Sequence, residues 1–159
     1  MANNFLATAN RVAAHLGKAP KDFTKEDIIR VVQDFDIRMV NLMYPGGDGR
    51  LKTLNFMLNS ADYLNTILTC GERVDGSSLF SSIEAASSDL YVMPVFRTAF
   101  IDPFQEIPTL CLLCDYFDRD GQRFSTQVCR LLSAWHSTIC LPAASLPSAF
   151  MHRVRITTM

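Results

Sequence analysis

The chain has 159 residues, 48% hydrophobic and 19% charged, with a net charge of −1. That length and composition describe a globular chain able to bury a core without disulfides, and they exclude general disorder. With no basic excess, no polybasic run and no stretch near the ~20 apolar residues of a membrane span, nucleic acid and membrane are not expected partners. Five cysteines, an odd number set in apolar segments, fit reduced thiols in a cytoplasmic protein.

Residues 1–22 read as an N-terminal extension. A weak helical pattern (Phe5, Val12, Leu16) ends at Gly17 and Pro20, and His15 reads as a surface residue. Thr24 with Asp27 three residues on predicts a capping-box-like helix start. Ile28, Val31, Val32 and Phe35 then recur on one face, giving a helix over 24–35. Residues 37–44 are β-rich. The cluster Pro45-Gly-Gly-Asp-Gly49 turns the chain into a second partly alternating run, Arg50 to Phe56, so the two form a hairpin. Ser60 caps a further helix with the apolar face Tyr63, Leu64, Ile67 and Leu68, ending near Gly71. Arg73 to Ser78 reads as a loop. Leu90–Met93 and Thr109–Phe117 read as strands, the last closed by the Asp-Gly turn at 118–121. The expected class is α+β: a small, largely antiparallel or mixed sheet with packed helices and an irregular C-terminal tail.

Charge divides the chain sharply. All sixteen acidic residues lie between Asp22 and Asp120. Residues 122–159 hold four arginines, no lysine and no acid, and Pro142 and Pro147 interrupt them. This divergent tail is expected to be out-of-frame or otherwise aberrant sequence. A rival reading takes Leu131, Leu132, Trp135 and Ile139, at helical spacing, as a partner-binding segment.

Three features are candidates for chemistry. Cys111-Leu-Leu-Cys114 has redox or metal-pair spacing. On a strand, however, an offset of three sends the sulfurs to opposite faces, and no ligand-spaced His accompanies them. The pair therefore reads as two small buried hydrophobes. The glycines at 46–49 lack the Gly-Lys-Ser/Thr of a phosphate loop, which leaves a hairpin turn. Asp75-Gly-Ser-Ser78, taken bare, is a turn with a capping residue.

Six motifs in order give that third feature a further meaning. They are Asp36-Ile-Arg-Met-Val-Asn-Leu42; Asp48-Gly-Arg-Leu-Lys52; Gly71-Glu-Arg-Val-Asp-Gly-Ser-Ser78; Ser87-Ser-Asp-Leu90 with Pro94; Thr98-Ala-Phe100 with Asp102-Pro-Phe104; and Cys114-Asp115 with Asp120-Gly121. From Ile37 to Gly121 the chain thus resembles the N-terminal domain of glutamine synthetase. Val74 stands where the family has an aromatic residue before the loop aspartate.

The resemblance implies a β-grasp-like domain over residues 23–121. It also implies an enzyme family that makes glutamine from glutamate, ammonia and ATP through a γ-glutamyl phosphate, at sites between the subunits of a homo-oligomeric ring. There the Asp-Gly-Ser-Ser loop of one subunit serves the catalytic domain of its neighbour. Asp75 is the implied catalytic residue that binds ammonium and takes its proton, and Ser78 holds the loop and lines the same site. Gly76 lets the turn approach closely. ATP and Mg²⁺ or Mn²⁺ belong to the full-length family. The resemblance stops at Gly121, before the residues that bind them, so no cofactor is expected on this chain and no synthesis by it alone. Alternatives are a non-catalytic assembly or regulatory module, and a fragment of a related glutamate–amine ligase.

Overall fold

The computed structural model describes residues 10–81, 83 and 88–124. Its six-stranded sheet runs β2-β1-β6-β4-β3, and β5 pairs with β6 off that path. The strands are β1 (Met39–Pro45), β2 (Leu51–Met57), β3 (Glu72–Asp75), β4 (Asp89–Pro94), β5 (Phe100–Ile101) and β6 (Thr109–Asp118). β1 and β6 are parallel, Met39 opposite Thr109 through Met43 opposite Leu113. The other pairs are antiparallel, so the sheet is mixed. β6 is the organising strand. Its first half lies between β1 and β5, and its second half pairs with β4.

Among the described residues four α-helices accompany the sheet: α1 (Arg11–Leu16), α2 (Lys25–Asp34), α3 (Ala61–Cys70) and the single turn α4 (Gly76–Leu79). The predicted capping box of α2 is present. The Thr24 side chain accepts from the Asp27 N–H, and the Asp27 carboxylate accepts from the Thr24 N–H at 3.0 Å. Lys18 Nζ reaches the same carboxylate at 2.7 Å. Ser60 caps α3 by accepting from the Tyr63 N–H, and Gly71 ends that helix.

Alternation decides the core. Val40, Leu42 and Tyr44 of β1, Leu110, Leu112, Cys114 and Tyr116 of β6, and Leu90 and Val92 of β4 share one face. They are buried in one cluster with Ile28, Val31 and Val32 of α2 and Leu64, Ile67 and Leu68 of α3. Val12 and Ala13 of α1 join the same cluster. Among the described residues no helix is long and apolar enough to cross a membrane.

Three readings from the sequence are corrected, and one strand, β5, had no reading to correct. Residues 73–78 are not a loop: they are most of β3 followed by the start of α4. Tyr63 is 39% exposed, so it is not part of the buried face of α3. Its place on the helix is one residue round from Leu64, and the buried residues of α3 are Leu64, Ile67 and Leu68. The strand expected at 37–44 begins at Met39, because Asp36 takes a positive φ of 47° and Ile37 bonds back to Val32. β5, only two residues long, carried no readable alternation. The hairpin stands as read, with Met39 opposite Met57 and Pro45 opposite Leu51.

Candidate functional site

Asp75 ends β3, which among the described residues is an edge strand paired only with β4. It is also the N-cap of α4. A carboxylate is a natural cap because the first N–H groups of a helical turn lack partners. Asp75 Oδ1 accepts from the Ser77 N–H at 3.0 Å and from the Ser77 hydroxyl at 2.7 Å. Ser78 donates its hydroxyl to the Asp75 carbonyl at 2.8 Å. The Ser77 hydroxyl, then the Ser88 hydroxyl, then backbone N–H groups hold the Asp75 carboxyl below its ordinary value. Asp75 and Ser78 are both exposed.

Among the described residues, no ion pair offsets the charge of Asp75. Asp89 stands opposite Asp75 across the β3–β4 pair, and Arg73 spends its guanidinium on Asp89 at 3.3 Å. The turn is thus an exposed, anionic point held in fixed geometry, suited to meeting a small cation.

Gly76 explains how the turn stays close to the sheet. Its N–H donates to Ser88 O at 2.6 Å, and a Cβ there would lie 2.7 Å from that same oxygen. Two residues that hold Asp75, namely Ser77 and Ser88, lie in the quoted motifs but were given no role from the sequence. The Asp-x-Ser spacing was the available signal for Ser77, since it is the spacing of an aspartate that caps its own turn. Nothing local pointed to Ser88.

Cys111 and Cys114 are 2% and 0% exposed. Cys114 lies in the helix-side cluster, which does not include Cys111, as the strand parity predicts. Burial pushes the Cys111 thiol up to about 12, with the Asp102 charge adding to it. Burial likewise raises Cys114, with Asp115 adding. Among the described residues no group of three or more His, Cys, Asp or Glu is placed to hold a metal ion. The glycine cluster is a turn, closed by Gly46 N–H to Arg50 O at 2.8 Å and Gly49 N–H to Gly46 O at 2.9 Å. His15 is exposed, as read, and contacts Asp34 Oδ2 at 2.7 Å. A cleft of about 740 Å³, bordered by Tyr91, Met93, Asp115 and Phe117 among others, does not include Asp75 or Ser78. The readings placed on residues 125–159 and on Phe5 lie outside the described residues.

A mixed sheet with helices on one face and an aspartate-capped turn at its edge defines an α+β domain of the β-grasp kind. Residues 36–119 match the family described as "Glutamine synthetase, beta-Grasp domain", and the chain belongs to that family. It is 32% identical over 90 residues to the glutamine synthetase of Pseudomonas aeruginosa, covering 56% of this chain and 19% of that protein. It is 31% identical over 99 residues to the 3-hydroxylaminophenol mutase of Cupriavidus pinatubonensis, covering 62% and 21%. A solved structure of Plasmodium falciparum glutamine synthetase shares the fold with a TM-score of 0.54 at 17% identity, over 64% of this chain and 20% of that one. The chain spans about a fifth of the length of these relatives.

Proposed function

We propose that this chain is the N-terminal β-grasp part of a glutamate–ammonia ligase acting in nitrogen assimilation in the cytoplasm. In this reading it lends the turn 75–78 to the active site of a neighbouring subunit in a ring. The observation that carries the reading is the exposed Asp75 carboxylate, uncompensated by any described cation and held by the Ser77 hydroxyl at 2.7 Å.

The chemistry follows from that carboxylate. In the free chain, hydrogen bonds favour the ionised form, which suits cation binding and makes Asp75 a weak proton acceptor. Closure by a neighbouring domain would remove water. That would strengthen the attraction for ammonium and raise the carboxylate's basicity. Asp75 then takes one ammonium proton, leaving the electron pair on nitrogen to attack the γ-carbonyl carbon of an acyl phosphate; the carbon–oxygen bond breaks, and phosphate departs with the second proton shed by the nitrogen. Ser78 holds the Asp75 carbonyl and keeps the turn from splaying. ATP, the divalent metal and glutamate would be bound by parts of the enzyme other than the matched residues 36–119.

A chimera tests the proposal. Residues 36–119 replace the matching domain of the P. aeruginosa enzyme, and glutamine formation is followed against ammonium concentration. Asp75→Ala is expected to lower turnover by about 10²- to 10⁴-fold and raise the KM for ammonium. Full turnover in that variant would discard the catalytic role and favour an assembly or regulatory module. If the chimera preferred a larger amine to ammonium, the related glutamate–amine ligase would be the better description.

A further inference from the structure

We infer that the β1–β2 hairpin turn is the device that positions Asp75, with Gly47 and Tyr116 as its positioning residues. Its functional consequence rests on the reading of Asp75 above, but its geometry does not. The turn α4 is four residues long, and one helical turn is not stable by itself. Its first end is fastened to the start of β4 by the Gly76–Ser88 bond. Its last end leaves carbonyls without helical partners, and one of them is taken from outside: the Gly47 N–H donates to Leu79 O at 2.8 Å.

The contact leaves no spare room. A Cβ on Gly47 would lie 2.5 Å from Leu79 O and 3.1 Å from the Phe80 ring. The obstructing oxygen is backbone, so it cannot swing aside. The hairpin turn is itself anchored, since the Tyr116 hydroxyl donates to Pro45 O at 2.6 Å. Tyr116 is 1% exposed, and its ring meets Phe80 at 5.3 Å and Tyr44 at 5.9 Å, both edge to face. A continuous chain of contacts thus runs from β6 through Tyr116, Pro45, Gly47 and Leu79 to the turn whose first residues hold the Asp75 carboxylate. Shifting the hairpin shifts the far end of α4, and the Ser77 N–H and hydroxyl move with it.

The test uses the full 159-residue chain, with Gly47→Ala and Tyr116→Phe as variants. Amide exchange is read at Ser77 and Ser78, and the carboxyl titrations of Asp75 and Asp27 by NMR. Both variants are expected to speed exchange at Ser77 and Ser78 by about tenfold while leaving α2 protected. Both should move the Asp75 midpoint upward, toward an ordinary carboxylate, with Asp27 unchanged. Tyr116→Phe removes one oxygen and keeps the ring, so it decides the matter even if Gly47→Ala does not fold. Unchanged Ser77 and Ser78 exchange together with an unchanged Asp75 midpoint in Tyr116→Phe would overturn the inference. None of these readouts involves ammonium, so they can succeed where the chimera fails, or fail where it succeeds.

Discussion

Asp75 and Asp27 are both capping carboxylates, and they differ in what else they touch. Asp27 is nearly buried and satisfied three ways, by Lys18 and by the Thr24 N–H and hydroxyl. The Lys18 bond first, and then the Thr24 bonds, hold its carboxyl below its ordinary value against the opposing effect of burial. Because the folded value is depressed, the resulting stability is present above the unfolded value and is lost as pH falls through the folded one. Asp27→Ala is expected to cost about 1–3 kcal/mol at pH 7, at the lower end because Lys18 is half exposed, with the deficit shrinking below pH ~4. Urea titrations of wild type and variant at several pH values measure it. The thiols make a second residue-scale contrast. Cys70 is exposed, while Cys111 and Cys114 are buried. Native-state alkylation followed by peptide mass analysis should label Cys70 and spare Cys111 and Cys114 until denaturant is added.

At the scale of elements, the capping box of α2 is one reciprocal unit rather than two separate bonds. Thr24→Ala is expected to cost about 1 kcal/mol. Combined with Asp27→Ala it should cost less than the two added together, because each substitution already dismantles part of the same box. A double-mutant cycle by urea denaturation reads the coupling, and strict additivity would mean that the two groups act apart. The hairpin and α2 were legible in the sequence because their signals are local: the glycine-rich turn at 46–49 and apolar residues at helical spacing. β3 and α4 were missed for the opposite reason. Four residues of Glu-Arg-Val-Asp alternate too briefly to read as a strand. Only pairing with β4, Glu72 opposite Val92 through Asp75 opposite Asp89, makes them one.

For the molecule as a whole, β6 decides cohesion. Among the described strands it alone pairs with both the hairpin and β4, and its Leu110, Leu112, Cys114 and Tyr116 run through the centre of the core. Leu112 is 0% exposed. Leu112→Ala is expected to cost about 2–5 kcal/mol, seen as a lower urea midpoint at an unchanged slope. A loss under ~1 kcal/mol would mean that the surrounding helices collapse into the space left.

Local chemistry written into the sequence determined the class, the two capped helices, the hairpin, the inert cysteines and the family motifs, since each depends on neighbours a few residues apart. The tertiary structure alone decided that β6 is central and parallel to β1, that Asp75 caps a turn at a sheet edge, and that Gly47 supports that turn from the hairpin. These features depend on residues distant along the chain, such as Asn41 beside Cys111 and Gly47 beside Leu79. No periodicity within a single segment encodes such a meeting; it is selected when the segments bury their apolar faces together.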